Sequence, residues 1–148
     1  MTIQQIQSLI YEETGFRFTV ADGAIVLRYT RPDGQVMGKA VLPAPHSTET
    51  TAREFAGCLL KTLVYSLAQD GADPATLECE QETETARTLL KREVDKQRVY
   101  SAALDREAEL LRQINQSPSE EAKWPLREEL RGVMVKRRLE MAAIEAAA

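Results

Sequence analysis

The stretch FRFTVADGAIVLRYTRPDGQVMGKAVL, Phe16–Leu42, decides the fold class. Phe16, Phe18 and Val20 alternate with Arg17 and Thr19, the two-residue period of a strand with one buried face. Asp22-Gly23 supplies the positive-φ pair that a tight hairpin needs, and Ile25–Thr30 continues as a second strand. Pro32-Asp33-Gly34 is a second turn signal, after which Gln35–Leu42 reads as a third strand. A small antiparallel sheet of this kind is marginal in water, so helices must cover one of its faces.

Working outward, both flanks supply them. Ile3, Ile6, Leu9 and Ile10 recur at helical spacing between Thr2, a capping residue, and Gly15, a left-handed stop. Pro43 and Pro45 end the sheet, and the loop after them holds the only histidine, His46. Thr51 and Glu54 have the spacing of a capping box for a central helix to about Gln69. Phe55, Cys58, Leu59, Leu63 and Leu67 share a face there, widened by Ala52, Ala56, Leu60, Val64 and Ala68, which makes Cys58 an expected buried thiol. Asp70–Pro74 breaks the helix, and Thr76–Gln81 alternates like a short fourth strand; the first turn of the next helix is the competing reading.

The remaining sequence reads as two long helices folded back at Asn115–Ser119. Thr83 or Thr85 can cap the first, which runs to about Ile114; Ser117, Pro118 and Glu120 form a capping box for the second. Pro125 lies one to two turns into that return helix, where a kink or restart is expected. The fold class is therefore α+β: an N-terminal helix, a three-stranded meander, a central helix and a C-terminal helical hairpin. Residues 1–81 form a small body and residues 82–148 the hairpin, expected to act as one cooperative unit.

Ala86, Leu90, Val94, Tyr100, Leu104, Ala108, Leu111 and Ile114 read as the inner face of the first arm, opposite Leu126, Leu130, Val133, Met141 and Ile144. This register sets Arg137 beside Glu93 and Gln97, an expected polar pair in the seam that fixes register. Val99 and Leu110 on the first arm, and Val135 and Leu139 on the second, fall off these faces. Packing on the body or docking another molecule would cover them, and they are the candidate partner-binding residues.

Composition narrows the function. The 148 residues are 43% hydrophobic but only 5% aromatic, with a net charge of −4, which disfavours a general nucleic-acid or anionic-membrane binder. Residues 1–75 carry six basic and eight acidic side chains and residues 76–148 carry thirteen and fifteen, a dense mixture typical of a solvated hairpin. Cys58 and Cys79 lack metal or redox spacing and read as reduced thiols of a cytoplasmic protein. The first residues carry no secretory signal pattern, and no apolar run has the length of a membrane span. There is no phosphate loop, paired-cysteine motif, zinc-protease signature or nucleophile elbow, and so no expected catalytic residue, cofactor or metal.

The order helix, three antiparallel strands, helix in residues 2–69 resembles the double-stranded RNA-binding domain. That family grips phosphates with a lysine-rich start to its second helix, where this chain has Ser47–Glu54, an acidic stretch. A nucleic-acid reading therefore rests on Lys91, Arg92, Lys96, Lys136 and Arg138, interleaved with Glu93, Asp95 and Glu140. The layout is also similar to small secretion chaperones, and the size and acidity to phage-encoded inhibitors of host defence complexes. The expected function is non-enzymatic protein binding, as adaptor, chaperone or inhibitor, with another protein or a second copy of the chain as partner. Nucleic-acid binding through the basic residues is the alternative.

Overall fold

Gly15 is the hinge on which the first helix meets the sheet. Its φ of 76° is the left-handed conformation that ends a helix, and a Cβ there would lie 2.6 Å from the side chains of Ala86 and Thr83. The computed structural model describes residues 1–44 and 47–147; Pro45 and His46 lie outside the described residues. The elements are α1 (Ile3–Thr14), β1 (Phe16–Arg17), β2 (Thr19–Ala21), β3 (Ala24–Thr30), β4 (Val36–Val41), α2 (Glu49–Asp70), β5 (Gln81–Glu82), α3 (Glu84–Gln116) and α4 (Glu120–Ala146). The fold is α+β, with the three-stranded sheet β2-β3-β4 and two long C-terminal helices packed as a hairpin. Two compact units divide the chain, Met1–Val94 and Asp95–Ala148. The division lies beyond residue 81 because Ala86, Leu90 and Val94 of α3 belong to the body core.

In the body, Asp22 and Gly23 both take positive φ, as their hairpin requires. The register pairs Ile25 with Val41, Leu27 with Lys39 and Tyr29 with Met37, so one face of β3 delivers Ile25, Leu27 and Tyr29 to the core. Phe16 and Phe18 stack on each other in a core shared with Ile10, Leu63 and Leu67. Buried Gln7 donates from Nε2 to the Phe18 carbonyl, and Arg53 of α2, paired with Glu49 of its own helix, reaches Glu12 and Glu13 of α1.

Several local expectations shift. Helix α2 begins one turn early, at Thr48, whose hydroxyl accepts the Thr51 N–H; Thr51 thus sits inside the helix rather than at its cap. Cys58 is exposed, because the buried face runs through Ala52, Ala56, Leu59, Leu63 and Leu67 and leaves position 58 to solvent. The segment after α2 is a 3-10 turn at Pro74–Thr76, followed by a single bridge from Glu78 to Arg28. The strand itself falls at Gln81–Glu82 and pairs with β1, not with the three-stranded sheet. Arg87 holds this segment: its guanidinium donates to the carbonyls of Pro74 and Leu77, reaches Glu82 and lies over the Phe16 ring.

In the second unit, α4 is capped by Ser119, two residues later than expected, while the Ser117 hydroxyl bonds back to Gln113. Helix α4 runs through Pro125 from Glu120 to Ala146; there is no restart at Trp124. Among the described residues no helix is long and apolar enough to cross a membrane.

Candidate functional site

The hairpin seam settles which hairpin side chains remain available. Leu126, Leu130, Val133, Met141 and Ile144 of α4 are half-buried and face α3, as their spacing predicts. On α3, however, Val99 and Ala103 line one groove with Val133 and Arg137, and Leu110 and Ile114 are buried. Leu110 has zero exposure, so it is a seam residue and not a docking residue. Tyr100, Leu104 and Leu111, read from sequence as inner, are exposed. The physical reason lies in the two duties of α3. Ala86, Leu90 and Val94 serve the body core, and the five residues from Val94 to Val99 rotate the helix by ~140°. One continuous face cannot describe a helix that serves two partners.

Arg137 is the polar member of the seam, but its partner is Glu107 at 3.4 Å, not Glu93 or Gln97. Both side chains are largely buried, with 17% and 12% exposure, and the Arg137 guanidinium also lies 5.6 Å from the Tyr100 ring centre. Helical side chains lean toward their own N-terminus. Arg137 therefore leans toward the turn and Glu107 away from it, which brings them together, whereas Glu93 and Arg137 lean apart. Gln97 instead donates to Ser101. Lys96–Glu145 and Arg106–Glu129 add two more cross-helix ion pairs.

The opposite side of α4 has a different character. Trp124, Val135 and Leu139 are 62%, 48% and 66% exposed, and α4 has no buried residue. Over most of one helical face these residues have no cover. Spacing identified Val135 and Leu139; it missed Trp124, although steps of 100° place it on the same face as Val135. Around Gly132, whose Cβ position meets nothing within 4 Å, the surface forms a shallow hollow of about 390 Å³.

The basic residues do not share one face of their helices. Lys91 and Lys96 lie ~140° apart around α3, and Lys136 and Arg138 ~160° apart around α4. Lys96 pairs with Glu145, and Lys136 with Glu140 at 3.7 Å. Arg92 is half-buried, while Lys91 and Arg138 are exposed. At the start of α2, the only guanidinium, Arg53, is engaged by three glutamates. No protein-family model, curated protein or solved structure matches this chain.

Proposed function

We propose that this chain is a non-enzymatic protein-binding module of the adaptor, chaperone or inhibitor type, acting in the cytoplasm. Its docking surface is the outer face of α4. The observation that carries this reading is the exposure of Trp124, Val135 and Leu139 together on the side of α4 turned away from its seam. Large apolar side chains clustered on one exposed face are characteristic of interaction surfaces, where an aromatic anchor supplies much of the affinity. The dispersal and pairing of the basic side chains weigh against the nucleic-acid reading, as does the acidic start of α2. A phage-type inhibitor of a host defence complex fits this class by size and acidity.

The test compares immobilised wild-type protein with the Val135→Glu/Leu139→Glu double variant as baits in cell extract. Proteins retained by the wild type should be lost from the variant, with unchanged circular dichroism showing that the fold persists. An identical retained set on both baits would remove the outer face of α4 from the function.

A further inference from the structure

We propose that the outer face of α4 pairs with the same face of a second copy of this chain, antiparallel, across a two-fold axis at the Arg131–Gly132 peptide. This rests on the docking reading above and names the partner.

Three observations converge on that axis. The first is Gly132 itself. A glycine inside an exposed helix costs about 1 kcal/mol relative to alanine, and no neighbour within the chain requires one here, since a Cβ at this position would meet nothing within 4 Å. A second backbone crossing at Gly132 would require its absence of side chain. The second is symmetry of spacing. Trp124 and Leu139 lie equally far on either side of the 131–132 peptide, as do Glu128 and Val135. Antiparallel pairing about this point sets Trp124 against Leu139 of the other copy, twice. Val135 then stands opposite Glu128 of the other copy, at the rim of its hollow.

The third is charge. On this face the side of α4 N-terminal to the axis carries Glu121, Glu128 and Arg131, and the C-terminal side carries Arg138. Antiparallel pairing brings Glu128 of one copy toward Arg138 of the other. Glu128 now bonds only to Arg131 of its own turn, at 3.5 Å, and Arg138 is exposed with no ion-pair partner among the described residues. The two lean toward each other across the axis, making two equivalent Glu128–Arg138 pairs. A parallel pairing would instead oppose like charges. A two-fold pairing of identical faces is also the commonest route to a homo-oligomer.

The experiment is the solution mass of the full chain by sedimentation equilibrium over a concentration series. Wild type should rise from the mass of one chain to that of two. Glu128→Arg alone and Arg138→Glu alone should each weaken association by about tenfold or more, and the Glu128→Arg/Arg138→Glu double variant should recover most of that loss. Gly132→Leu should abolish the dimer while raising the helical stability of the single chain, opposite to the result of a glycine needed by the fold. A wild type that remains one chain at all concentrations overturns self-pairing, as does a double reversal no better than the single ones. If the chain stays monomeric while Val135→Glu/Leu139→Glu still loses captured proteins, self-pairing fails and the docking face stands. If neither effect occurs, both readings fail.

Discussion

The two units of this chain are held together in different ways. The body, Met1–Val94, has a continuous apolar core in which Phe16, Phe18, Ile10, Ile25, Leu63 and Leu67 are sealed from solvent. The hairpin, Asp95–Ala148, buries Leu110 and Ile114 on α3 and nothing fully on α4. Its helices meet instead along half-buried aliphatic side chains bridged by Arg137–Glu107, Lys96–Glu145 and Arg106–Glu129. Apolar burial stabilises roughly in proportion to the area removed from water, whereas an exposed ion pair such as Arg106–Glu129 contributes about 0–1 kcal/mol. The body thus carries the stability, and the hairpin presents a surface.

The largest test of this contrast is a pair of truncations read by chemical denaturation. Phe18→Ala should cost about 3–5 kcal/mol, because a sealed core cannot close over the cavity. Leu110→Ala should cost about 2–3 kcal/mol, at the low end for leucine, because two helices can draw together over the gap. A hairpin loss equal to the body loss would abolish the distinction.

Arg137 gives the next largest effect. Arg137→Ala leaves Glu107 without its partner in the seam and should cost about 1–3 kcal/mol. Arg137→Leu fills the same space with apolar groups and should remain within about 1 kcal/mol of wild type. Equal losses for the two would show that packing, not the ion pair, is what Arg137 contributes.

One group in each unit ties stability to an opposite end of the pH scale. Burial, reinforced by a 2.5 Å hydrogen bond to Asp70, pushes the Tyr29 hydroxyl up to about 12. A raised folded value means stability that is complete below about pH 10 and is lost as pH climbs toward about 12. Tyr29→Phe should flatten that alkaline limb. In the hairpin, hydrogen bonds from Arg112 and then Gln113 hold the Glu109 carboxyl down to about 2. A lowered value means stability present above about pH 4.5 and lost as pH falls toward about 2. Glu109→Gln should flatten the acid limb of helix loss, and added salt should weaken the exposed pairs of the hairpin more than the body.

Much of this architecture is visible in the residues themselves. Alternation at Phe16–Val20, the Asp22-Gly23 turn and the Gly15 stop mark the α+β body, because each reports a local backbone requirement. The seam face of α4 is legible for the same reason, since that helix serves one partner inside its unit. The face of α3 was not, because Val94 and Val99 answer to different neighbours and no single periodicity describes both. The Arg137 partner needed the lean of side chains along antiparallel helices, which spacing alone omits. On the candidate surface, Val135 and Leu139 stand out as apolar residues opposite an apolar seam. Trp124 was hidden beside Pro125, in a turn read as the start of a broken helix.

Smallest of all should be the cost of the exposed stripe to the single chain. In dilute protein, Leu139→Ser should change stability by within about 0.5 kcal/mol, as expected for so exposed a side chain. A loss of several times that would make Leu139 a structural residue.

The most direct measurement is amide hydrogen exchange of the full chain at low and high protein concentration. At both, the body core should exchange slowest. Raising the concentration should slow exchange along α4 between Trp124 and Ala142, and leave the body unchanged. Exchange along α4 that is independent of concentration, or slowing confined to the Tyr100, Leu104 and Leu111 side of α3, would contradict self-pairing through the outer face of α4.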